Sequence, residues 1–164
     1  MRSLQGILLN AMTFLSCMRL EASPQRMSIN RILHTPPLLT VWDRLALEVP
    51  GIEIVERRNP LREIELRRDC GSYVVEQLGI TYEDLFLITH TSRPSRNYRE
   101  IPQLQKGALV AYYSPTDDLT KRHFGIGETT DSVLSKWNIG HVFRHPVGLV
   151  EGMYTEVRFF TNSR

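Results

Sequence analysis

The feature that most constrains this chain is a change of periodicity near residue 107. Before it, apolar residues recur at helical spacing between capping and stop residues. After it they fall in five short β-prone runs parted by turn residues: 107–113, 123–126, 133–137, 141–144 and 154–160. Helices first and an antiparallel meander second predict an α+β fold, with N-terminal helices packed on a five- to six-stranded antiparallel sheet. A chain of 164 residues with two cysteines, Cys17 and Cys70, must be held by a core, because two thiols make neither a disulfide framework nor a four-ligand zinc site. No run reaches the ~18 apolar residues of a spanning helix, which excludes an integral membrane segment of that kind.

Residues 7–17 are apolar after a single Arg2 but are interrupted by Asn10, and Ala22-Ser23-Pro24 and Thr35-Pro36-Pro37 punctuate the next stretch of chain. The expectation is a leader or short helix over 1–37, with a signal segment as the weaker alternative, and a single domain over 38–164. A cytoplasmic location is favoured over a secreted or lipid-anchored one. Val41, Leu45 and Val49, stopped by Pro50-Gly51, predict an amphipathic helix with Trp42 turned to the core. Over 53–69 five arginines face five acidic residues, which predicts a solvated, self-paired surface. Asp69 then reads as the N-cap of a helix that starts at Cys70 and stops at Gly79, and Thr81 as the start of another. From Ser92 to Gln105 the chain is polar, and Arg93, Arg96, Arg99 and the adjoining Lys106 outnumber Glu100, a local +3 that predicts a mobile loop able to steer an acidic ligand. The whole-chain balance, 20 basic against 18 acidic residues, gives no field that would call for nucleic acid, and the charge-neutral arginine run with no recognised fingerprint makes such a partner unexpected.

Cys70 carries the sharpest chemistry. A helix N-terminus presents a partial positive charge and unpaired amides, which biases a thiol there toward thiolate and can hold an oxyanion. His123 is the candidate base. It alternates with Phe124 and Ile126, so its imidazole is expected on the face away from the apolar one, displayed beside open space left by Gly125 and Gly127. A hairpin centred on Thr129 would pair 123 with 135 and set the Ser135 hydroxyl against the imidazole. His141 and His145 lie in an extended segment, about 13 Å apart, too far to share a metal ion.

Four pieces, Asp69-Cys70-Gly71-Ser72-Tyr73-Val74, Gly107-Ala108-Leu109-Val110, His123-Phe124-Gly125-Ile126 and Val133-Leu134-Ser135-Lys136, stand in an order that resembles the NlpC-like cysteine hydrolases of the papain-like superfamily. The resemblance spans roughly 65–140. It implies a papain-like (NlpC-type) fold and acyl transfer without a cofactor, on a peptide or other amide-containing substrate such as a cell-wall stem peptide. In that scheme Cys70 attacks and His123 is the base, while Ser135, or else His145 or Lys136, is the third residue. Gly71, Gly125, Arg93 and Arg96 would contact substrate. The alternative is a catalytically silent module of the same fold that holds a peptide or acidic partner.

Overall fold

The computed structural model describes residues 41–59, 62–63, 66, 68–90, 97–114, 122–137, 140–150 and 154–163. The leader expected over 1–37, the side chain of Trp42, and Arg93 and Arg96 lie outside the described residues. The chain divides into two compact units, Met1–Pro50 and Gly51–Arg164. The described part of the first is helix α1, Val41–Glu48, which ends ahead of Pro50 as its spacing requires.

The second unit is built on one antiparallel sheet. Its strands are β1 (Glu53–Glu56), β2 (Tyr98–Ile101), β3 (Leu109–Tyr113), β4 (His123–Gly127), β5 (Ser132–Lys136), β6 (Val142–Pro146) and β7 (Glu156–Asn162), in the order β1-β6-β5-β4-β3-β7-β2. Helices α2 (Cys70–Leu78) and α3 (Tyr82–His90) precede most of it. The α+β class is as expected, but the sheet has seven strands rather than five or six. The two that composition hides, β1 and β2, are its edges. An edge strand pairs on one side only and keeps charged residues outward, so Glu53-Ile-Val-Glu56 and Tyr98-Arg-Glu-Ile101 read as polar surface. Self-pairing does occur near β1, between Arg58 and Glu56 at 2.7 Å. Glu53, however, pairs with Arg144 of β6, and Glu63 is buried.

Both helix starts arise from short-range hydrogen bonds. The Asp69 carboxylate accepts from the Ser72 amide at 2.9 Å and the Ser72 hydroxyl accepts from the Asp69 amide at 2.7 Å, a reciprocal capping box that fixes Cys70 as the first helical residue. Gly79, left-handed at φ 63°, ends the helix. Thr81 and Asp84 repeat the reciprocal pattern at α3.

The core has a layer on each face of the sheet. On one, Tyr73, Val74, Leu85 and Ile88 of the helices pack on Leu109, Ala111, Tyr113 and Phe160, with Phe124 and Ile126 joining. On the other, Val110, Tyr112 and Val133 pack with Ile101, Leu104 and Tyr154. Alternation along β3 feeds both layers, and all five of its residues are buried.

Close packing also occupies the space beside His123 that Gly125 and Gly127 were expected to leave for substrate. A Cβ at Gly125 would stand 2.4 Å from Val133 Cγ1 and 2.9 Å from the Leu134 carbonyl oxygen. One at Gly127 would stand 2.2 Å from the Gln105 carbonyl oxygen. The glycines are there because neighbouring protein comes close, so the open space expected beside Gly125 is taken up by Val133, Leu134 and Ser135. Gly127→Ala is therefore expected to cost about 1–3 kcal/mol in urea unfolding, since the obstructing atom is backbone and the turn at Leu104–Gln105 must move. An unchanged midpoint would show that the turn gives way freely.

Candidate active site

Cys70 meets the sheet where β4 and β5 part. Gly127 uses both its backbone groups toward β3, donating to Ala108 O at 2.8 Å and accepting from the Gly107 amide at 2.7 Å. Antiparallel alternation therefore sends the Phe124 amide toward β5. Pairing between β4 and β5 covers only Ile126↔Leu134 and Gly127↔Val133. In the fork beyond, the Phe124 amide lies close enough to the Cys70 sulfur to favour its charged form, as does the Gly71 amide. The helix start is thus wedged into a split in the sheet, and the thiol lies one residue along the strand from His123.

The charge state of that thiol differs from the one its helix position suggests. Burial pushes it up to about 11, and the Asp69 carboxylate pushes the same way. The Phe124 and Gly71 amides and the Lys136 ammonium pull against them without prevailing. The N-terminal amides do act on the sulfur as expected, but desolvation and the capping carboxylate outweigh them, so Cys70 rests as a neutral thiol near pH 7.

His123 is packed rather than displayed, at 5 % exposure. It stacks on Tyr112 and Tyr154, with ring centroids 5.7 and 6.2 Å away, and meets the edge of Trp137 at 6.2 Å. Burial, with His145 nearby, pushes the imidazole down to about 3, so it is neutral as well. Its Nε2 is buried without a hydrogen-bond partner, and it makes no hydrogen bond with Cys70 among the described residues.

Ser135 does not stand opposite His123. The register of β4 with β5 centres the hairpin one residue later than Thr129, and each pair shifts by two. A shift of two keeps Ser135 on the expected face but sets it against Gly125, where a Cβ would lie 3.1 Å from its own. The serine is used elsewhere. His145 Nδ1 lies 2.8 Å from Pro146 O, a pure acceptor, so Nδ1 carries the proton. Its Nε2 is then the acceptor for the Ser135 hydroxyl at 2.7 Å, and Ser135 Oγ accepts from Trp137 Nε1 at 2.8 Å. Burial holds His145 down at about 4, so this buried chain is neutral and satisfied throughout. His145 lies on β6, extended as expected, and its nitrogens are taken up by Ser135 and the Pro146 carbonyl rather than by His123.

Lys136, the third alternative, points to the helix-bearing side with its β6 partner Val142. Its ammonium donates to Arg68 O at 2.6 Å and faces Glu63 at 3.3 Å, both side chains almost wholly buried. Sequence reasoning passed over Glu63, which looked like one charge in a neutral run, and the rings of Tyr112, Tyr154 and Trp137 around the imidazole. Trp137 alone left a signal, two residues beyond Ser135 and so on its face.

Ser135→Ala should orphan Trp137 Nε1 and His145 Nε2 together, at about 1–3 kcal/mol for each buried group left unpaired, read as a fall in urea-unfolding free energy. The two buried imidazoles also set the acid response. The unfolded chain takes up protons on them from about pH 6.5, whereas the folded chain resists until about 4 at His145 and about 3 at His123. Their neutral burial therefore costs nothing above pH 6.5, and stability falls as pH drops below it, by about 1.4 kcal/mol per pH unit for each group. His123→Phe, which keeps a ring and removes an unpartnered nitrogen, should roughly halve the histidine part of that slope; an unaltered slope would refute the assignment.

Among the described residues no cluster of His, Cys, Asp and Glu has the geometry to hold a metal ion, and no helix is long and apolar enough to cross a membrane. Comparison with known protein families, with curated proteins and with solved structures finds no match to this chain.

Proposed function

We propose that this chain is a cysteine-dependent acyl-transfer hydrolase of the NlpC-like, papain-like kind, cleaving an amide or peptide bond through a thioester on Cys70 with His123 as base. What supports the reading is the meeting of Cys70, first residue of a capped helix, with the strand at Phe124, one residue along from an imidazole whose Nε2 is buried and unpartnered. Both groups are neutral at rest, so the chemistry that suits them is coupled general-base attack rather than a standing ion pair. The thiol proton passes to the imidazole as sulfur bonds to the carbonyl carbon, and the carbonyl π electrons move to oxygen. That oxyanion is met by amides at the helix start, of which the Cys70 amide is the first. Collapse breaks the carbon–nitrogen bond, and the imidazolium gives its proton to the departing amine. Water, deprotonated by the same imidazole, then cleaves the thioester. Closing the gap between sulfur and ring requires the Tyr154 and Trp137 side to yield as substrate enters.

The covering of His123 by aromatic rings and the neutral thiol favour one rival, a catalytically silent module of the same architecture. An activated acyl ester separates the two. The hydrolase should show one acyl group on Cys70 by peptide mapping and then turn over. His123→Ala should slow turnover about 100- to 10,000-fold, and Cys70→Ala should abolish both signals. No acylation of Cys70 in the folded protein, or turnover indifferent to His123, would leave the binding module.

A further inference from the structure

A buried lysine is costly unless something is gained from its charge. Lys136 is 2 % exposed on a central strand, and Glu63 beside it is 3 % exposed. Taking both ions from water is costly, and replacing such a pair with well-packed apolar residues is often neutral or stabilising. The pairing here is loose. Nζ and Glu63 Oε2 are 3.3 Å apart, and that oxygen accepts no well-formed hydrogen bond. The short bond goes instead to the Arg68 carbonyl at 2.6 Å, two residues ahead of Cys70. Packing alone would be met as well by methionine opposite leucine, so the arrangement is better explained by where it puts the cation.

We infer that Lys136 is a positioning residue for Cys70: its ammonium, held between the Arg68 carbonyl and the Glu63 carboxylate, ties the start of α2 to β5 and supplies a fixed positive charge to the sulfur as it becomes a thiolate in acyl transfer. The inference rests on the hydrolase reading for its purpose, but the electrostatic effect exists without turnover. Among the described residues, the charged and titratable groups around the sulfur are few. Asp69, at the helix cap, opposes the thiolate; Lys136, from β5, favours it; Tyr82 of α3 and Tyr154 are phenols that feel the sulfur's charge. Glu63 acts on Lys136 rather than on Cys70, so the pair presents its positive end to the thiol. This differs from a third catalytic residue that orients the imidazole, since Lys136 lies on the opposite side of the sheet from the His145–Ser135 chain.

The test is the pH dependence of iodoacetamide alkylation at Cys70 in the full chain, resolved from Cys17 by peptide mapping, with thermal melts run on the same samples. Glu63→Leu with Lys136→Met removes both charges together. It should melt at or above the wild-type temperature, yet alkylate Cys70 about tenfold more slowly at fixed pH, a rise of one unit in the thiol's titration. Lys136→Arg, which retains a cation, should stay within about twofold of wild type. A folded double variant with an unchanged alkylation profile overturns the inference. If the double variant does not fold, a folded Lys136→Arg protein that has lost tenfold in rate overturns it equally, since the charge alone is claimed to act. Failure of Cys70 to acylate or turn over, with the alkylation shift present, would count against the hydrolase reading and not against Lys136.

Discussion

The candidate site depends on a strand amide that is not spent on the sheet. Beyond Gly127↔Val133 and Ile126↔Leu134 the β4–β5 ladder stops, and the Phe124 amide that would have continued it lies beside the sulfur of Cys70 and favours its charged form. A buried amide left unpaired would be expensive, so the fork and the helix start stabilise each other. Around this joint the rest is arranged: the capping box sets where the helix begins, Lys136 holds the Arg68 carbonyl just ahead of it, and the aromatic layer closes over His123 behind the strand.

The two faces of the sheet consequently do different work. On the helix side lies the Lys136–Glu63 pair, with Val142 as the β6 partner of the lysine. On the other lie His123 and the chain from Trp137 through Ser135 to His145 and the Pro146 carbonyl, every proton of which is assigned by the one pure acceptor at its end. Burial acts on both sides in the same sense, favouring the uncharged form of each group. A thiol at about 11 and an imidazole at about 3 both rest uncharged, an arrangement ill suited to holding a thiolate in wait.

Some of this architecture is legible in the residues alone, because the interactions that produce it are local. Asp69 with Ser72, and Thr81 with Asp84, are three residues apart, so the starts of α2 and α3 can be read directly. Alternation over 107–113 and 123–126 likewise shows two strands and places His123 opposite Phe124. The edge strands were illegible for the converse reason. Neither Glu53–Glu56 nor Tyr98–Ile101 has an apolar pattern of its own, and each is a strand only because β6 or β7 offers it a ladder.

The sequence by itself determined the α+β order of elements, the placing of Cys70 on the first turn of a capped helix, and the choice of face for His123 and Ser135. These depend on neighbours within a few residues and on the fixed periods of helix and strand. Tertiary structure alone decided the hairpin register, which moved Ser135 from His123 to Gly125 and gave its hydroxyl to His145. It also decided that the glycines beside the histidine serve close packing, and that Cys70 and His123 rest neutral. Register depends on how strands meet across a turn, and charge state on how much water the surrounding residues exclude. Both are set by groups distant in the chain, such as Glu63, 73 positions before Lys136, and local spacing carries no trace of them.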